Sequence, residues 1–169
     1  MTRPFICFSH GQESGPWGTK INVMAAAVRN AGCEADSIDY QGMPEPGERV
    51  EKLVAACEKI EQPLVLVGSS MGGHVATAAA ERAGASGLFV LAPAYYMAGY
   101  EELTPVAPPI PIEIVHGWHD DIVPVDNSIR YARECSATLH LVNGDHRLTA
   151  NIDEITVWLL QFIQNLSSN

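Results

Sequence analysis

The sequence predicts an α/β protein built on a mostly parallel, doubly wound sheet of six strands, in three layers with helices on both faces. Three observations carry this. The apolar runs "FICFS" and "PLVLV" are continuous rather than alternating, as in strands buried on both faces. Amphipathic helical stretches separate successive apolar runs, the order that gives parallel crossovers. Internal repeats and linker-like segments are lacking, so 1–169 is expected to form one domain.

The chain of 169 residues is 47% hydrophobic and 18% charged, ordinary globular usage. Its formal charge of −10, with no dense Lys/Arg cluster, argues against a nucleic-acid partner. The N-terminal apolar stretch is too short for a signal core or a membrane span, so a cytoplasmic protein without a membrane partner is expected. Cys7, Cys33, Cys57 and Cys135 have no metal or redox spacing and lie in apolar surroundings, where buried thiols are expected.

Taken in order, "FICFSH" is a strand and "GQESGPWG" a loop. "KINVMAAAVRNAG" is a helix with Ile21, Met24, Ala25 and Val28 on one face and Gly32 as its stop. "EADSIDY" is a weaker strand. "GERVEKLVAACEKI" is a helix whose apolar face is Val50, Leu53, Val54 and Cys57, and "PLVLVG" is the next strand. An Ala-rich helix runs to about Ala83, followed by the strand "GLFVLAP" and an irregular stretch to Pro111. The chain closes with strand "IEIVHG", helix "PVDNSIRYAREC", strand "ATLHLV", loop "NGDHRL" and helix "NIDEITVWLLQFIQ".

Functional groups in such sheets collect on loops at the carboxyl ends of the strands. Gly68-Ser69-Ser70-Met71-Gly72 is a GxSxG pentapeptide in that position, between strand and helix. Ser70 is its nucleophile candidate; Ser69 is flanked at two residues' distance by Val67 and Met71 and lacks the framing glycines. A serine hydroxyl needs a base, and a base needs an orienting acid. In the chain order Ser, acid, His, only His140 and His146 come late enough; His140 lies inside a strand, so the loop residue His146 is the base candidate. Asp120 and Asp121, in the loop after "IEIVHG", both remain candidates for the acid on position alone. A metal reading of His116, His119, Asp120 and Asp121, with His10, Asp145 and His146 as further ligands, matches no zinc spacing and leaves the GxSxG turn unexplained. An N–H of the loop "SHGQESG", with the N–H of Met71, would supply the two donors of an oxyanion hole.

In order, "SHGQESG", "VGSSMGG", "VHGWHDDIVP" and "GDHRL" resemble the α/β-hydrolase superfamily, in particular its small lidless bacterial members. The resemblance spans nearly the whole chain. It implies Asp120 rather than Asp121 as the acid, because the family pattern HGxxDxxVP falls on His116, Gly117, Asp120, Val123 and Pro124. It implies the Gln12 N–H as the first oxyanion donor, from the HG pair His10 and Gly11. It also implies a sheet lacking the family's first two strands, in the order 2-1-3-4-5-6, and, since only a short connection joins Ala94 to Pro111, no cap. Tyr95, Tyr96, Met97 and Tyr100 in that connection are candidates for the substrate pocket, with packing of the loop on the core as the alternative, and Trp17 and Trp118 border the oxyanion and acid loops, where packing is the expected role and walling the cleft the alternative.

The activity expected is hydrolysis of small carboxylic esters through an acyl-enzyme, with no cofactor and no metal. Thioester or small-amide hydrolysis uses the same groups, and a catalytically weak hydrolase fold that binds another protein is the alternative of a different class.

Overall fold

The computed structural model describes residues 2–169. Six parallel strands, β1 (Phe5–Ser9), β2 (Glu34–Ile38), β3 (Leu64–Ser69), β4 (Ala85–Leu91), β5 (Ile112–Gly117) and β6 (Thr138–Val142), form one sheet in the order β2-β1-β3-β4-β5-β6. The helices are α1 (Thr19–Asn30), α2 (Pro46–Cys57), α3 (Met71–Ala79), α4 (Val125–Cys135) and α5 (Ile152–Ser167). The strand order and the two helical layers are those the sequence predicts.

The central strands are apolar because both faces are covered. From β3, Val65 and Val67 face the layer formed by α1 and α5, while Leu64 and Leu66 face the layer of α2, α3 and α4. Each such side chain contributes roughly 1.5–3 kcal/mol by leaving water. The edge strand β2 is half-buried or exposed at four of its five residues, which accounts for its weak sequence signal. At the opposite edge, His140 of β6 hydrogen-bonds Glu113 of β5 and stacks on Trp158 of α5, a packed edge residue.

Two helices differ in detail from expectation. Helix α3 ends at Ala79, and a further turn, in which the Ala83 N–H donates to Ala79 O at 2.9 Å, leads into β4 through Gly84 at the left-handed φ of +67°. On α2 the buried positions are Arg49, Leu53, Val54 and Cys57, with Val50 only half-buried. A guanidinium therefore occupies part of a face predicted to be apolar. Cys7, Cys33 and Cys57 are buried free thiols as expected, and Cys135 is half-buried. Among the described residues no helix is long and apolar enough to cross a membrane.

The sheet order reverses between β1 and β3, the neighbouring strands from which the chain winds outward in both directions. A crevice forms at the carboxyl ends of the strands on either side of such a reversal. The loops after β1 and β3 border it, and those after β5 and β6 complete the same end of the sheet.

Candidate functional site

Ser70 stands between β3 and α3 with φ 54° and ψ −120°, a backbone conformation that costs a non-glycine residue on the order of 1–3 kcal/mol. It persists because the surroundings hold both of its peptide groups. The Ser70 N–H donates to Leu91 O at 2.9 Å, and Ser70 O accepts from the N–H groups of Gly73 at 3.0 Å and Ala94 at 3.0 Å. The turn is tight enough that a Cβ at Gly68 would overlap the Gly72–Gly73 backbone, and one at Gly72 would overlap the carbonyls of Ser9 and His10. The two framing glycines thus let the β1 loop approach Ser70.

His146 lies in the loop after β6. Its Nε2 is 3.1 Å from Ser70 Oγ and its Nδ1 is 2.7 Å from Asp120 Oδ2. Three side chains from three separate loops therefore form one hydrogen-bonded line. The His146 loop is fixed locally: Leu148, wholly buried at φ 57°, donates its N–H to Asp145 Oδ1 at 3.0 Å, and Gly144 O accepts from the His119 N–H at 3.0 Å.

Asp120 is the more constrained carboxylate. Its side chain is fully buried, Oδ1 accepts from the N–H groups of Ile122 and Val123, both at 2.8 Å, and Oδ2 accepts from His146. Burial pushes its pKa up, but the His146 bond and the two backbone donors outweigh that and hold the carboxyl below its ordinary range. Asp121 has no hydrogen-bond partner among the described residues and is exposed.

A residue that entered the sequence reading as part of the family pattern and as a candidate metal ligand stands behind Asp120. His116 is wholly buried, and its Nε2 faces both Asp120 Oδ2 and Val123 O at 3.0 Å. Carbonyl oxygens only accept, so Nε2 carries the proton, and Nδ1 accepts from the Ser128 hydroxyl at 2.6 Å. Burial lowers the His116 pKa and favours this neutral tautomer. Asp120 Oδ2 is thereby held from two sides by imidazoles. The i, i+4 spacing of His116 and Asp120 was the available signal.

On the other side of Ser70, the loop after β1 is gripped from below. Arg49, 2% exposed, donates from Nε to Met43 O at 2.7 Å and from its terminal nitrogens to Gly11 O at 3.2 Å and, more weakly, to His10 O at 3.4 Å and Gln12 O at 3.5 Å. Its guanidinium also lies over the Tyr40 ring, 5.1 Å from the centroid. The His10 ring donates through Nδ1 to Gly11 O and accepts the Tyr40 N–H at Nε2, both at 2.8 Å, so it too is a fixed neutral tautomer. With these carbonyls tied to Arg49, the N–H of Gln12 has no acceptor among the described residues, and neither has the N–H of Met71. Two unengaged donors therefore sit on the segments flanking Ser70, an arrangement able to receive an oxyanion.

The expected pocket residues are not brought to this line. Tyr95 is wholly buried, hydrogen-bonded to Thr77 Oγ1 at 2.5 Å and stacked on Tyr131 with ring centroids 4.0 Å apart, so it is a core residue and not a pocket wall. Tyr96 turns to α4, where its hydroxyl donates to Glu134 Oε2 at 2.7 Å and its ring lies under Arg130. Met97 is half-buried and Tyr100 is 64% exposed. Trp17 and Trp118, expected to pack, are 39% and 52% exposed on the oxyanion and acid loops. A surface cleft of about 390 Å3 is lined by 107–112 and 135–137, where β5 and β6 begin, at the end of the sheet opposite Ser70. Among the described residues no group of three or more His, Cys, Asp or Glu is placed to hold a metal ion.

A family model described as an alpha/beta hydrolase domain matches residues 6–158. Among solved structures, a hydrolase of the alpha/beta superfamily from Xanthomonas campestris pv. campestris is 28% identical, with a TM-score of 0.87 over 99% of this chain and 100% of that one. Est1E from Butyrivibrio proteoclasticus superposes with a TM-score of 0.85 at 16% identity, covering 99% of this chain and 90% of its own. The mouse alpha/beta hydrolase domain-containing protein 10 does so with 0.83 at 21%, covering 96% and 90%. Comparison with curated proteins finds no match.

Proposed function

The chain belongs to the alpha/beta hydrolase domain family, and we propose that within it this protein is a serine hydrolase of small carboxylic esters, working through Ser70, His146 and Asp120. The observation that carries the reading is the continuous line from Ser70 Oγ to His146 to Asp120 at 3.1 and 2.7 Å.

The chemistry follows from these contacts. Asp120, acceptor-only as a carboxylate, keeps the proton of His146 on Nδ1 and leaves Nε2 free to take the Ser70 proton. Ser70 Oγ attacks the ester carbonyl, and the oxygen that gains charge is received by the N–H groups of Gln12 and Met71. His146 then returns its proton to the departing alkoxide, leaving the acyl group on Ser70. Water, giving a proton to the same nitrogen, attacks the acyl-enzyme; the acid departs and Ser70 regains its proton. Every step uses one imidazole and two backbone donors. The same sequence of proton transfers serves a thioester or an activated amide, but the open site without a cap favours small, reactive acyl groups.

A strained, fully engaged Ser70 with an oriented base argues against a role confined to binding another protein, for which neither the strain nor the buried acid is needed. The test is turnover of 4-nitrophenyl butyrate by the wild type and by Ser70→Ala. Loss of the nucleophile is expected to lower kcat by about 10⁶, whereas turnover surviving in the variant would contradict the assignment.

A further inference from the structure

Two cations serve the loops around Ser70 without a carboxylate partner, and they differ in how fully they are used. Arg49 is saturated: its nitrogens face backbone carbonyls on Met43 and on the β1 loop. Lys20, in the first turn of α1, is not. Its Nζ donates to a single neutral acceptor, Ser69 Oγ, at 3.2 Å, and no carboxylate lies within 4.0 Å among the described residues. An ammonium carries three protons, so Lys20 has donors to spare.

The position adds to this. Lys20 is half-buried, on the helix that packs with α5 on one face of the sheet, and the loop leading to α5 carries His146. It contacts the residue next to the nucleophile. Helix dipoles disfavour a cation in the first turn, so α1 itself gains nothing from a lysine there. Burial pulls the Lys20 pKa down to about 8, an effect that Asp145 and Asp120 only partly offset and Arg147 reinforces. A part-buried charge with one neutral partner is an unfavourable arrangement unless a ligand completes it.

We propose that Lys20, held by Ser69 beside the nucleophile, is an anion-binding subsite that selects ester substrates carrying a carboxylate near the scissile carbonyl. This rests on the hydrolase reading above and adds a substrate class to it. A carboxylate seated there receives a charge-assisted hydrogen bond from Nζ, with the lysine still anchored on Ser69. Near Lys20 the exposed Arg147, one residue beyond His146, is set against the carboxylates of Asp145 and Asp120, so Lys20 itself must supply the donor. In a chain of net charge −10, such a site counters the general repulsion of anionic substrates.

The test compares two pairs of substrates of similar size, in each of which a carboxylate is set against a neutral amide. One pair puts the charge on the acyl side, 4-nitrophenyl hemiadipate against its terminal amide. The other puts it on the alcohol side, 4-carboxyphenyl butyrate against 4-carbamoylphenyl butyrate. In wild-type enzyme at low salt, kcat/KM should favour the carboxylate by about tenfold in one of the pairs, the scale of a charge-assisted bond at a partly solvated site. Lys20→Met should reduce that ratio to one or below, and Lys20→Arg should keep most of it. Both members of a pair meet the same enzyme sample, so the ratio does not depend on the fraction folded. A wild-type ratio near one in both pairs, or a ratio unchanged in Lys20→Met, overturns the subsite. Those results leave ester hydrolysis standing; failure of the wild type to hydrolyse any of the four substrates overturns the hydrolase reading as well.

Discussion

The loops after β1, β3, β5 and β6 and the connection that leaves β4 near Tyr95 start from the same end of the sheet, yet they are built on different rules. In the first set, the proposed catalytic side chains are tied by groups that can point only one way: backbone N–H groups on Asp120, neighbouring peptide groups on Ser70, Arg49 on the β1 carbonyls. In the second, aromatic side chains are placed by burial. Tyr95 goes into the core and Tyr96 to α4, and Tyr100 stays in solvent. Chemistry needs defined directions and leaves motifs; apolar contact needs only area, and several positions can supply it.

Exchanging the acid for its amide is the strongest test of this contrast after loss of Ser70. Asp120→Asn keeps the shape but presents a donor where His146 needs an acceptor, and kcat is expected to fall by about 10⁴. Its neighbour Asp121, exposed and without a partner, should tolerate the same change with less than about a tenfold effect, since a surface charge is worth about 1 kcal/mol or less. Steady-state kinetics on one activated ester distinguishes the two; equal losses would mean that the acid is shared or misplaced.

Arg49→Met addresses the oxyanion side. Freed from the guanidinium, the carbonyls of Gly11 and Gln12 no longer fix the direction of the Gln12 N–H, and kcat is expected to drop by up to about 10²–10³, the cost of one oxyanion donor. A positioning role further predicts that KM changes much less than kcat, and that Arg49→Lys recovers part of the loss. A rise in KM at constant kcat would point instead to ground-state binding.

In the other region the expected signature is reversed. Tyr95→Phe removes a buried hydroxyl from Thr77 and should lower stability by roughly 1–3 kcal/mol, while kcat/KM per folded molecule stays within about twofold. Denaturant unfolding and activity on the same sample check both halves. A selective loss of kcat/KM in Tyr95→Phe would restore that tyrosine to the substrate pocket.

The smallest effect concerns acyl length. Between Ala94 and Pro111 the only helical element is the short turn Glu101–Leu103, too little chain to form a cap over Ser70. Each further methylene gains up to about 0.8 kcal/mol only where it leaves water, so efficiency should peak at roughly two to six carbons and show no jump at an interface. Preference for chains of twelve or more carbons would mean that the Tyr95–Pro111 segment folds over the site.

How much of this was legible in the sequence follows the same division. The strand order, and the hydrogen-bonded line of Ser70, His146 and Asp120 that is proposed as catalytic, were readable because GxSxG, the carboxyl-end rule and the family pattern each constrain backbone geometry. Arg49 was missed although Leu53 and Cys57 follow it at helical spacing of four, which put it on the buried face; its charge argued for solvent. Lys20 was missed for a similar reason, since its partner Ser69 is distant in sequence and its apolar neighbour Ile21 defined the helix face. Tyr95 was misplaced because aromatic density after a strand does not tell a pocket wall from a core side chain; the partners Thr77 and Tyr131 are set by packing alone.

The most direct test of an assembled Ser70–His146–Asp120 line is reaction with a fluorophosphonate, followed by mass spectrometry of the adduct. Folded protein should be labelled stoichiometrically at Ser70, with heat-denatured protein and Asp120→Asn labelled far more slowly. Folded protein that stays unlabelled, or that carries the phosphonate on Ser69 or elsewhere, would contradict it.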